Sequence, residues 1–180
     1  MIIYFKKPVA LAFLFLFTAV GFAEAQQPAD TSRRGDEYFL ALGKMFSRHI
    51  FDHAQILHQY AALSEPIPDD VSNEHIREMR SDLTSAKAAY AKLSEKAKTD
   101  PMSNKKIVEL QTHLKQIDVA IDQMEHAVGE LQDADAKLVM DLTKDVTTSA
   151  KSSHATAQAI HFYFNPDDAT PHFDQGVFAN

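Results

Sequence analysis

Between Ile107 and Leu131, large apolar residues recur at alternating steps of three and four: Ile107, Leu110, Leu114, Ile117, Ile121, Met124, Val128 and Leu131. A period near 3.5 puts all of them on one side of an α-helix, and a stripe of that kind is stable only against other helices. The same spacing occurs three more times. Phe39, Leu42, Phe46, His49, His53, Ile56, Tyr60 and Leu63 predict a first helix over about 36–63. Ile76, Met79, Leu83, Ala86, Tyr90, Leu93 and Ala97 predict a second, and Val139, Leu142, Val146, Ala150, Ser153, Ala157 and Ile160 predict a last one reaching about 163.

The breaks between these runs carry their own signals. Ser64-Glu65-Pro66-Ile67-Pro68-Asp69-Asp70 holds two prolines that stop the first helix, and its acids or Ser72 can cap the second. Thr99-Asp100-Pro101 ends the second. No proline breaks the chain at the boundary after Leu131, and a single helix from 105 to 163 is conceivable. The stripe beyond Val139 is nevertheless shifted against the one before it, and Gly129 and the caps of Gln132-Asp133-Ala134-Asp135 favour a turn at 132–135. No long segment alternates with a period of two, so β-structure has little support. The expected fold is all-α, an antiparallel up-down four-helix bundle over residues 36–164.

Ahead of the bundle lies an export signal in three parts. Lys6 and Lys7 are its basic region, Pro8 to Gly21 its apolar core, and Ala23-Glu24-Ala25 supplies small residues for cleavage before Gln26. The apolar run falls short of the roughly 20 residues that a membrane span needs. Residues 1–25 are read as a signal peptide, 26–35 as a flexible leader without large apolar residues, and 165–180 as an irregular tail whose Phe173 and Phe178 can pack back on the helices. The expected location is periplasmic or secreted.

Removing Lys6, Lys7 and Glu24 from 18 basic and 25 acidic residues leaves 16 and 24, a formal net charge of −8. Such a chain repels phosphate backbones and anionic head groups, which argues against nucleic acid and membrane surfaces as partners. The absence of Cys excludes a thiol nucleophile, a disulfide and an iron–sulfur cluster. No Gly-rich phosphate loop, Ser nucleophile elbow or His-Glu-x-x-His is present. The Glu-x-x-His pairs of di-iron bundles are replaced by Gln55 before His58, Gln123 before His126 and Gln158 before His161, and a neutral amide does not bridge two irons.

All nine His fall after residue 25. His49 and His53, one helical turn apart at consecutive seam positions, can present two imidazoles to one divalent ion, Zn²⁺, Cu²⁺ or Ni²⁺ on ligand type. Counting heights along antiparallel helices sets Asp82, Asp118 or Asp122, and Asp145 or Ser149 near them, with Asp52 as a supporting group. The bland alternative is that the pair only hydrogen-bonds across helices and fixes their register. His75 and His113 flank the seams, and His58 and His126 lie opposite them, as surface residues do. His154 and His161 flank the last helix, and the height count brings Met45 near His154. An exported bundle with such a Met and His resembles the periplasmic four-helix cytochromes in architecture, which implies haem as an alternative ligand. The expected function is non-enzymatic: an exported helical-bundle protein binding a ligand or partner, with a metal ion at His49 and His53. The alternatives are a haem electron carrier and a structural or interaction module of the cell envelope.

Overall fold

The computed structural model describes residues 31–63, 67–130 and 135–168. Five α-helices and one short 3₁₀ turn account for nearly all of them, and no strand occurs among the described residues. The helices are α1 (Thr31–Leu63), α2 (Asp69–Ala91), α3 (Glu95–Thr99), α4 (Pro101–Glu130) and α5 (Ala136–Phe164), and the 3₁₀ turn is Pro166–Asp168. No helix among the described residues is long and apolar enough to cross a membrane. The segment read as a signal peptide, residues 26–30 of the leader, and Phe173 and Phe178 of the tail lie outside the described residues.

On α4 the stripe Ile107, Leu110, Leu114, Ile117, Ile121, Met124 and Val128 is buried, as the spacing requires. On α2 Ile76, Met79, Leu83, Ala86 and Tyr90 are buried, and on α5 Val139, Leu142, Val146, Ala150, Ser153, Ala157 and Ile160. These side chains form one continuous core.

Helix α1 departs from the expectation. Its buried side is Leu40, Gly43, Ser47, Ile50, Ala54, Leu57 and Ala61, displaced by about one residue from the expected seam. Phe39 and Phe46 are only partly buried, and Ile56, Tyr60 and Leu63 are exposed. The cause is size: Gly43, Ser47, Ala54 and Ala61 let the α1 backbone approach its neighbours closely, which the bulky residues one position away cannot do. The helix also starts at Thr31 rather than near 36, so the end of the expected leader is helical. Arg33 holds this turn, pairing with Glu37 one turn on at 3.4 Å and donating from Nε to Asn165 Oδ1 at 2.7 Å.

The second expected helix is in fact two. α2 stops at Ala91, and Ser94 caps α3 by accepting the Ala97 N–H at 3.2 Å. Asp36 fixes the corner from α1: its carboxylate accepts the Ser94 N–H and the Ser94 hydroxyl, each at 2.6 Å. Asp100 then starts α4, accepting the N–H groups of Met102 (3.1 Å) and Ser103 (2.9 Å), with Pro101 in the first-turn position where its missing N–H costs nothing. Proline also opens α2: Pro68 stands at its N-cap without a side-chain cap, and Ser72, one of the expected caps beside the acids, instead donates to the Pro68 carbonyl. Asp135 caps α5 by accepting the Lys137 and Leu138 N–H groups, so α4 and α5 are separate helices; residues 131–134 of the expected turn lie outside the described residues.

Cross-helix bonds order the long helices. Along α1 the partners on α5 run backwards: Arg33 to Asn165, Lys44 to Gln158, Ser47 to Ser153 and His58 to Thr143. The partners on α2 and its corner do the same, from Asp36 with Ser94 to His53 with His75. Arg80 and Lys87 of α2 reach the acidic side of α4, Arg80 to Asp118, Asp122 and Glu125 and Lys87 to Asp118.

Candidate functional site

The α1–α2 groove holds the densest set of chemistry-bearing side chains. Two features of sequence build it. His49 and His53 are one turn apart on α1, and His75, Glu78 and Asp82 follow at i, i+3 and i+7 on α2, so each set shares one helix face. Because α1 is turned relative to the expected seam, the two α1 imidazoles stand at the edge of the core rather than inside it. The His49 side chain is half exposed and the Asp82 side chain 16% exposed.

The groove does not gather His49 and His53 on one point; it gives each its own partner. The Nδ1 atoms of His53 and His75 are 3.0 Å apart, with ring centroids 5.3 Å apart and ring planes inclined by 50°. His49 Nδ1 lies 3.8 Å from Asp82 Oδ1, beyond a hydrogen bond but within ion-pair range when the imidazole is protonated. Among the described residues, no group of three or more His, Asp and Glu side chains converges as a metal-holding set.

The electrostatics follow from this placement. Burial pushes the Asp82 carboxyl above the usual carboxylate range, against the opposing pull of His49 and His53. His75 is held below the ordinary imidazole value, first by burial and then by the facing His53, with Glu74 and Glu78 pulling the other way. Two imidazole nitrogens 3.0 Å apart can share one proton, donated by one ring to the lone pair of the other. They can equally both offer lone pairs to one ion, since metal–nitrogen bonds of about 2.0–2.1 Å at tetrahedral or square angles set two donors roughly 3 Å apart.

Asp82 is where the height count put it. His75 was placed only beside a seam, although the same antiparallel count brings it opposite His53. The other acids and Ser149 take different partners: Asp118 and Asp122 bind Arg80, Asp52 pairs with Arg48 on its own helix, and Ser149 and Asp145 line the α4–α5 groove.

Of the remaining His, His58 is not the free surface residue its position suggested. Its Nδ1 lies 3.0 Å from Thr143 Oγ1 and 3.3 Å from the Met140 carbonyl, because the rotation of α1 turns it toward α5. His154 is buried, with Nδ1 3.4 Å from the Lys44 carbonyl, while Met45, its expected companion, is 41% exposed. Compared with known proteins, the chain matches no family model, no curated protein and no solved structure.

Proposed function

We propose that this is an exported, non-enzymatic protein whose four long helices form an up-down bundle and which takes one divalent transition metal ion in the α1–α2 groove. The opposed run of partners along α1 and α5, and along α1 and α2, supports the bundle. The observation that carries the metal reading is the 3.0 Å approach of His53 Nδ1 to His75 Nδ1. His53 and His75 are the donor pair in this reading. His49 and Asp82, about one turn further along the groove, supply the next ligand by a side-chain rotation or hold a metal-bound water. Zn²⁺, Cu²⁺ and Ni²⁺ suit imidazole donors. The lowered proton affinity of His75 favours binding, since its lone pair stays available to more acidic pH than that of a free imidazole.

The test is a calorimetric titration of protein purified without a histidine tag, with melting temperature measured in parallel. The expected result is one ion per chain and stabilisation of about 2.7 kcal/mol at a hundredfold excess over Kd. His53→Ala/His75→Ala should abolish both. An equal metal response from that double variant rejects the site. The export reading is checked separately by N-terminal sequencing of protein from its native host, where a first residue of Gln26 is expected and a start at Met1 overturns it.

A further inference from the structure

Of the ten large apolar side chains left exposed among the described residues, five lie on α1: Tyr38, Met45, Ile56, Tyr60 and Leu63. At about 100° per residue they occupy one arc of about 60°, and from Tyr38 to Leu63 the stripe runs about 38 Å. Scattered exposed apolar residues are ordinary, but five on one arc of one helix, two on one side of a polar centre and three on the other, are the mark of an interface. With Leu42, His49 and Asp52 between them, the residues of this side follow at steps of three or four from Tyr38 to Leu63, the spacing of one helix packed on another. α1 therefore has two seams. The small-residue side is filled by this chain's own α2 and α5; the other carries the bulk and is exposed.

The pattern itself names the occupant. Read in opposite directions about a point between Ile50 and Phe51, the stripe complements itself: Tyr38 falls opposite Leu63, Met45 opposite Ile56, and His49 opposite Asp52. Apolar residues meet apolar residues, and the one ionisable pair at the centre joins an imidazole to a carboxylate. The His49 and Asp52 side chains are 50% and 44% exposed, so each can reach a second copy while keeping its neighbour in this chain, Asp82 for His49 and Arg48 for Asp52. A parallel pairing in the same register would instead set His49 against His49 and Asp52 against Asp52, which like charges oppose. We infer that α1 is a homodimerisation helix, docking antiparallel on α1 of a second copy of this chain about a two-fold axis near residues 50 and 51. Such an interface is isologous: the same patch serves both partners and closes the assembly at two. The inference stands without the metal reading, although it sets Asp52 of the second copy beside His49 at the edge of the α1–α2 groove.

Sedimentation velocity on the purified protein should give twice the mass of one chain, with dissociation on dilution. Met45→Glu/Ile56→Glu should be monomeric at the same concentrations, with unchanged helical circular dichroism because both positions are exposed. Orientation is read by cross-linking, which the cysteine-free sequence makes clean. An equal mixture of the single variants Met45→Cys and Ile56→Cys should form a disulfide-linked dimer containing one of each, while neither should link to itself, since two copies of one position lie about 16 Å apart along the paired helices. A monomer at every concentration overturns the inference, as does a dimer that survives the two Glu substitutions. Self-linking of each single variant to the level of the mixture overturns the antiparallel register.

Discussion

The ring of Tyr90 on α2 fills the space beside Gly43 of α1 where any other residue would carry its β-carbon. A Cβ there would lie 2.2 Å from Tyr90 Cε1 and Cζ and 2.6 Å from its hydroxyl oxygen. α1 and α2 therefore pack ring on backbone at this level, beneath the Ser47–Ser153 hydrogen bond that joins α1 to α5.

Gly43→Ala forces the buried ring aside. The expected loss is about 1–3 kcal/mol, the usual cost of overpacking a filled core, even though Ala is the better helix former. In a Tyr90→Leu background the same change should cost much less, and thermal melts of the four proteins measure this coupling. Additive losses would place the strain elsewhere.

Burial pushes the Tyr90 phenol up to about 12 from 10.0, partly offset by the Ser47 and Ser153 hydroxyls. A folded-state value above the unfolded one means that the folded chain holds the proton more tightly. The stability involved is thus fully present below pH 10 and is lost as pH rises to 12, by about 3 kcal/mol for two units. Tyr90→Phe should lack that component, so the stability difference between wild type and variant should change between pH 9 and pH 12. The Tyr90 hydroxyl makes no hydrogen bond of its own, so near pH 7 the substitution should be close to neutral. A constant difference across the range refutes the assignment.

Asp36 is buried and holds the corner between α2 and α3 through two bonds to Ser94. Asp36→Ala leaves the Ser94 N–H without its acceptor and should cost about 1–3 kcal/mol. Asp36→Asn keeps one acceptor oxygen and should cost less. Hydrogen exchange at the Ser94 amide should accelerate in both, and a Ser94 amide that stays protected in Asp36→Ala contradicts the clasp.

Asp135 alone signals the start of α5 among the described residues of that connection. Asp135→Ala should lower stability by about 1 kcal/mol, with Asn recovering most of it, as at other N-caps. A loss as large as that of a core truncation would show that the carboxylate does more than cap.

How far the sequence could be read depended on where the bulk sits. On α2 and α4 the buried residues are mostly the large ones, and on α5 Val139, Leu142, Val146 and Ile160 mark a side that the small Ala150, Ser153 and Ala157 share, so periodicity found the core side directly. On α1 the buried side is made of Gly43, Ser47, Ala54 and Ala61 between Leu40, Ile50 and Leu57, while Met45, Ile56, Tyr60 and Leu63 are outside. A reading weighted by size chose the wrong side by about a residue, and that displacement moved His49 and His53 from the core to a groove. α3 was missed because Leu93 and Ala97 are buried whether or not the helix breaks at Ser94, and no Pro or Gly marks the break. Asp82 was found because it depends only on helix direction and length. His75 needed the same count applied to His53.

Ser47 and Ser153 meet across 106 residues of chain, and Arg33 and Asn165 across 132. The first helix to be synthesised is thus seated in part by the last. Until α5 is made, the narrow side of α1 has only α2 to cover it, and closing so long a loop sets an entropic toll that neighbouring pairs such as α4 and α5 escape. The α1–α5 seam therefore has no partner to close on until α5 has been made, whereas α4 and α5 meet as neighbours in sequence.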